Sequence, residues 1–266
     1  MEHAEGDFEI EVGDQSLGVL LSAVFGAVPT TTGPTDTAAY THTWTLTNDN
    51  QHKSLTIHTI DPIGQLAYEL SMIDTFELRV EQDAIISANV SFISKSSADS
   101  SGQTSSYGAE KKFVGRFLTF KVGATTADLT AASGVSLKSL TLTFEKNAEA
   151  QATLSTVQPE DVVNKRFNIT GEIVLNYEDR TWLNYLKNTS DKAVRIDIVH
   201  EDVITGAAST YYTFRLDLSK VIFETWDSDF SIDDIVTQTV TFKAMFDTVN
   251  QNVINSTYLI NAVSSY

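Results

Sequence analysis

The sequence predicts a mainly β protein: two duplicated antiparallel β-sandwich units, each with one flanking α-helix. Apolar and polar residues alternate through about a dozen segments, the period at which successive side chains leave a strand on opposite faces. Two segments break the alternation, each just after an aspartate, and read as helices. The order of strand, helix and further strands begins at Gly6 and begins again at Gly171.

Taking the elements in order, Phe8, Ile10 and Val12 point one way from the first strand and Asp7, Glu9 and Glu11 the other. The same alternation marks 41–46, 54–60, 66–70, 76–80, 86–92 and 117–122. It returns at 137–144, 169–177, 194–199, 212–218 and 236–242, all rich in residues that suit a pleated, half-buried surface. Asp14 precedes 15–27, which is apolar nearly all round and is expected to be deeply buried. Asp179 precedes 180–188, where Trp182, Leu183 and Leu186 form one stripe. Each aspartate is read as a helix N-cap whose carboxylate takes free N–H groups of the first turn.

Between these lie loops. Residues 29–39 are rich in Thr, Gly and Pro, and 94–108 are low-complexity and read as flexible, with little area to bury in offset of ordering entropy. Residues 124–134 form a small-residue connector. Residues 148–165 make a long stretch of the kind that carries interactions. The repeat is read from matched positions. Phe8, Ile10 and Val12 meet Ile173, Leu175 and Tyr177, 66–73 meets 214–221, and Val90 and Phe92 meet Val240 and Phe242. A period this long means duplicated domains rather than a solenoid, with units at 1–125 and 126–266. The second unit opens with an extra strand, 137–144, which has no counterpart ahead of Phe8.

Composition removes several chemistries. Lys plus Arg number 18 and Asp plus Glu 35, a formal charge of −17, which argues against tight binding to nucleic-acid phosphate. With no cysteine there are no disulfides, thiolate metal sites or Cys nucleophiles. The longest apolar run, 17–28, is too short to span a bilayer, and acids precede it where a secretion signal needs bases, so no membrane partner is expected. Residues 227–234 space acids like a calcium loop. The sixth and twelfth positions are Ile232 and Gln238, however, where such a loop needs Gly and Glu, so this reads as an acidic turn. His3, His42, His52, His58 and His200 show no zinc spacing, and His200-Glu201-Asp202 reads as a strand end. No metal, no cofactor and, with no nucleophile elbow, no enzymatic activity are expected.

Four stretches then carry a resemblance: 6–26, ending in Phe-Gly; 40–46 followed by 54–57; the strand 139–147 with 165–178; and 234–247. In this order the chain resembles a phage tail tube protein, the major tail protein of long non-contractile-tailed siphophages in its two-repeat form. The resemblance implies a structural virion protein that assembles with itself into stacked rings, with an inner β-barrel passing double-stranded DNA transiently and without sequence preference. It implies a place in the virion tail, assembled in the bacterial host cytoplasm, and contacts with tail terminator, tape measure and distal tail proteins. The 148–165 loop would reach neighbouring subunits through Gln151, Leu154, Val157, Pro159, Val162 and Val163. Acids on polar strand faces, Glu9, Glu11, Glu77, Glu81, Glu172 and Asp217, would line the channel and repel phosphate.

Barrel geometry sets the ring size. With four strands from each unit, as the resemblance implies, twelve strands about 4.8 Å apart and tilted about 40° close a backbone ring of only about 24 Å, while twenty-four give about 48 Å, wide enough for a duplex about 20 Å across. Six units are therefore expected, and because both keep the same pattern, a trimer with pseudo-sixfold symmetry is favoured over a hexamer. Two other readings of the residues stay open: a secreted or surface β-sandwich module that binds carbohydrate or another ligand, and an acidic β-fold hydrolase.

Overall fold

The computed structural model describes residues 2–105, 108–154, 156–230 and 235–266. The strands of the first half are β1 (His3–Glu11), β2 (Thr30–Asp36), β3 (Ala39–Trp44), β4 (Leu55–Ile60), β5 (Gln65–Glu81), β6 (Ser87–Lys95) and β7 (Ala98–Ser100). Those that follow are β8 (Leu118–Gly123), β9 (Gly134–Val135), β10 (Ser139–Glu145), β11 (Glu149–Ala150), β12 (Val162–Val163), β13 (Asn168–Asn176), β14 (Lys192–Val203), β15 (Tyr211–Asp229), β16 (Thr237–Ala244) and β17 (Ile254–Asn261). Helix α1 spans Ser16–Phe25 and α2 spans Thr181–Lys187.

One antiparallel path runs β1-β6-β5-β10-β13-β16-β15-β14-β8-β9, with β17, β3 and β2 continuing from the side of β15. Two long strands hold it together. The C-terminal half of β5 lies between β6 and β10, while residues 65–71 pair with β4 and β7. Likewise β15 pairs with β16 through 221–229 and with β14 and β17 through its N-terminal half. Alternation alone split β5 into 66–70 and 76–80. The intervening residues stay extended because a bulge between Ile73 and Thr75 absorbs the break in period.

The matched segments share their register. The bulge between Ile73 and Thr75 opposite β6 has its equal between Phe223 and Thr225 opposite β16. Gly6 faces Phe92 across β1–β6, and Gly171 faces Phe242 across β13–β16. This places Phe76 against Trp226, two positions from the 66–73 to 214–221 match read from sequence. Hydrogen-bonded ladders also cross the 125/126 boundary, since β3 pairs with β17 and β8 with β14.

Helix α1 is buried along Leu17, Leu21, Val24 and Phe25, as its all-round apolarity predicts. It stops at Gly26, whose φ of 78° and whose approach to the His52 ring both exclude a side chain. Phe25 meets Phe144 of β10 edge-on at 5.9 Å, and Phe144 meets Phe76 of β5 at the same distance. On the other side Trp182 and Tyr185 of α2 pack on Phe223, which leads through Phe242 to Phe120 of β8. Each such ring removed from water contributes roughly 2–3 kcal/mol.

Asp14 does not cap α1. The position before the helix is Gln15, and the first-turn N–H of Ser16 goes to Glu110 at 2.8 Å. Asp14 is buried, and its carboxylate accepts the Lys111 N–H at 2.7 Å, tying the end of β1 to the 108–114 segment. Burial raises its pKa, with the Lys111 bond opposing. Asp179 sits one residue outside the Arg180 cap position, yet its carboxylate does accept a first-turn N–H, that of Thr181, at 2.8 Å.

Residues 29–39, expected as a loop, form the β2–β3 hairpin instead, because the Thr run suits an edge strand once β3 is there to pair with. Asp36 fastens that hairpin by accepting N–H groups of Ala208, Ser209 and Thr210, which hold its pKa down at about 2.

Candidate functional site

The most distinctive surface is one face of the seven strands β1-β6-β5-β10-β13-β16-β15. Alternation puts Phe76, Leu78, Val90, Leu142, Ile173 and Val240 on the buried side. On the other side the ladders align polar residues in rows. Glu9 faces Asn89, which faces Glu77, then Thr143, Thr170 and Lys243. The next row runs Glu11, Ser87, Arg79, Thr141, Glu172, Thr241 and Thr225. Six strand spacings make this face about 29 Å wide.

The face is acidic and hydroxyl-rich. Glu9, Glu11, Glu81 and Glu172 are exposed on it, while Glu77 is half-buried and bonded to Arg79. That pairing neutralises Glu77 locally, so the negative charge comes from the other four together with Glu5, Asp7, Glu145, Asp227 and Asp229. Lys243 lies on the first of these rows, and Lys95 stands opposite His3 at the end of the β1–β6 ladder. Ser, Thr and Asn hydroxyls and amides, with single half-buried apolar side chains such as Ile93 and Val174 among them, give a ligand little to hold, and the carboxylates oppose a polyanion.

Asp217, expected with this group, is not on the face. It lies in the N-terminal half of β15, 3 % exposed, and accepts two bonds from Arg195 of β14, from Nε at 2.7 Å and Nη2 at 2.8 Å. The period-two pattern is the same in both halves of β15, so alternation could not separate a wall position from a buried ion pair. Its neighbour in register is a second pair of opposite order, Asp197 with Arg215. The cross-strand Arg/Asp alternation was the signal that could have identified the ladder.

The 148–165 segment divides in two. Its base is the short β11–β12 ladder, where Val162 and Pro159 are buried and Val163 half-buried within the same subunit. Pro159 and Val162 are thus withdrawn from the set offered to neighbours, because they fill the space beneath the loop. Gln151 is exposed but extends that ladder, donating its N–H to Asp161 at 2.8 Å, while beyond it Leu154 is 97 % exposed and Val157 64 %. Ser155 lies outside the described residues, as do 231–234 of the acidic turn that resembles a calcium loop. Among the described residues no helix is long and apolar enough to cross a membrane.

Compared with known proteins, the chain matches the family model described as phage tail tube protein over residues 2–244. No curated protein matches it.

Proposed function

Because this chain belongs to the phage tail tube protein family, we propose that it assembles with itself into stacked rings whose channel conducts double-stranded DNA during ejection. The family makes it a structural component of the virion tail. The finer reading is a siphophage major tail protein of two duplicated sandwich units, 1–125 and 126–266, with terminator, tape measure and distal tail proteins as its partners in the tail. The observation that carries it is the acidic, hydroxyl-rich face, repeated in register by β1-β6-β5 and by β13-β16-β15.

That face suits the wall of a DNA channel. It is continuous, has no apolar patch to grip bases, and places carboxylates where phosphate would approach. Two matched strand sets per chain favour a trimer of pseudo-sixfold symmetry. The exposed Leu154 and Val157 reach outward from the tip of the long loop, the side from which a neighbouring subunit or ring would be met.

Electron microscopy of the purified protein tests the reading. Hollow tubes with threefold averaged density are expected. True sixfold symmetry at side-chain resolution rules the trimer out, and a protein that stays monomeric at all concentrations and salts rules out the tube.

A further inference from the structure

The seven-stranded sheet presents unlike surfaces at its two ends. At the end where β10 begins, a cleft of about 660 Å³ opens beside the segment 134–138. Buried Val80 and Leu140 and half-exposed Leu118, Val135 and Leu137 line it. At the other end, where β16 stops at Ala244, the turn into β17 exposes Met245, Phe246 and Val249, the last two by 53 % and 85 %. The ladders fix these places at opposite ends. Ser139 lies level with Glu81 and Val174, whereas Lys243 lies level with Thr170 and Glu145 with Asn168.

The turn is tied as well as apolar. The Asp247 carboxylate accepts the Val249 N–H at 2.9 Å and the Asn250 side-chain amide at 2.6 Å, and the Asp247 N–H goes to the Asn252 carbonyl at 2.8 Å. Phe246 and Val249 are thereby held outward in advance, so covering them costs little further ordering. An aromatic ring placed in this way is the usual anchor of a protein contact.

Charge selects both the cleft and the turn. With a formal charge of −17, two copies repel over most of their surfaces. Among the described residues lining the cleft, Lys138 and Arg116 outnumber the one acid, Glu81, and the contact of Arg116 with Glu201 is long at 3.7 Å. This suits Asp247, which stands beside Phe246. The smaller cleft across the 134–136 strap, about 310 Å³, is lined instead by Glu178 and Asp179. Leu154 and Val157 also protrude at the β16 end of the sheet, but their loop is turned aside. The Val157 carbonyl accepts the Glu2 N–H at 2.7 Å and Gln158 donates to Ser96 at 2.6 Å, which lays that loop over the ends of β1 and β6.

We propose, resting on the tube reading, that the cleft is the axial seat for a second copy. The 245–249 turn of one subunit inserts Phe246 and Val249 between Leu118, Val135 and Leu137 of the subunit stacked against it, and Asp247 faces Lys138 and Arg116. Knob and seat lie at opposite ends of one sheet, so the contact is head-to-tail and repeats along the strand direction without closing on itself.

Two variants separate knob from seat. Phe246→Asp spoils the knob and Ser136→Trp fills the cleft, and because both native side chains are exposed, parent-like thermal melts are expected. Val249→Asp repeats the knob test at a second position. By electron microscopy each variant alone should form single rings that do not stack. Mixed in equal amounts, Phe246→Asp and Ser136→Trp should form rings paired two deep and nothing longer, because one intact seat and one intact knob remain between them. Long tubes from either variant, lone subunits in place of rings, or a mixture that stays as single rings would overturn the seat and leave the tube reading of the parent standing. Leu154→Asp should stack as the parent does, and single rings from it would make the long loop the occupant and overturn the assignment. Failure of the parent to assemble speaks against the tube reading itself. The seat is then tested on subunits in solution, which the absence of cysteine permits. V249C mixed with S136C and a short bis-maleimide should give a covalent dimer that neither variant gives alone, and no such dimer sinks the seat.

Discussion

The Nζ of Lys146 donates to the carbonyl of Ala23 at 2.9 Å, beneath the last turn of α1. The side chain is 1 % exposed, and its other close contact is the Met72 sulfur at 3.1 Å. A cation is favoured at a helix C-terminus. Burial nevertheless dominates and holds its pKa down at about 7, with Asp74 pulling the other way.

The consequence is a stability that rises with pH. The unfolded lysine keeps its proton to about pH 10.4, so between pH 7 and there the unfolded state binds the extra proton. Stability therefore climbs across that window, and below pH 7 the full cost of the buried cation stands. His52, lowered first by burial and then by Lys146, adds the same sign below about pH 6.5. Lys146→Met should raise stability at pH 7 by on the order of 1–3 kcal/mol and flatten the slope. Urea midpoints at pH 7 and pH 9 check this. A lower midpoint with the slope intact would mean that the Ala23 bond outweighs the desolvation.

Tyr266, the last residue, acts as a latch. Its hydroxyl donates to the Asp14 carbonyl at 3.0 Å, its ring lies edge-on to His42 at 4.7 Å, and it covers Gly18 of α1. A Cβ at position 18 would come within 2.2 Å of that ring. Tyr266→Phe should cost about 1 kcal/mol, the worth of one hydrogen bond, and Gly18→Ala more, because it expels the ring. Thermal melts of the two variants separate the effects. Equal melting of Gly18→Ala and the parent would show that the ring is not seated on the helix.

The paired glycines make a comparative prediction. A Cβ at Gly6 would meet the Phe92 ring at 2.8 Å, and one at Gly171 the Phe242 ring at 2.2 Å. Phe92 lies near the open edge, while Phe242 is locked between Phe120 and Phe223. Gly171→Ala should therefore cost about 1–3 kcal/mol and Gly6→Ala clearly less. Denaturant titrations of the two single variants check the order, which reverses if Phe242 is free to turn.

Legibility in the sequence followed the range of the interactions. Strand periodicity is local, so β1, β10 and β13 were readable. Strand β17 escaped because its buried positions include Thr257 and Asn261, polar residues that blur the alternation of apolar and polar side chains. The fate of Asp14 depended on Lys111 and Glu110, nearly a hundred residues away, and nothing local distinguishes it from a cap. The acids of the polar face were found by alternation alone, and Asp217 was misplaced by it, since a pattern of faces does not say which face another strand or an arginine covers.

The charge of the polar face carries the last prediction. One carboxylate about 10 Å from a phosphate repels it in water by only about 0.4 kcal/mol, less than thermal energy. The array, not any single acid, must therefore keep DNA from adhering. Glu9→Lys, Glu11→Lys and Glu172→Lys together convert three exposed repulsions into attractions on adjacent rows. Tubes carrying all three should retain a short duplex at low ionic strength and release it at high salt, because the screening length falls from about 30 Å at 0.01 M to about 3 Å at 1 M. Parent tubes should retain none. Glu77→Lys alone should do little, since one reversal leaves the rest of the acidic array in place. Co-sedimentation of labelled duplex with tubes across a salt series reads all three cases. Intact triple-variant tubes that retain no DNA would mean that this face looks away from the channel.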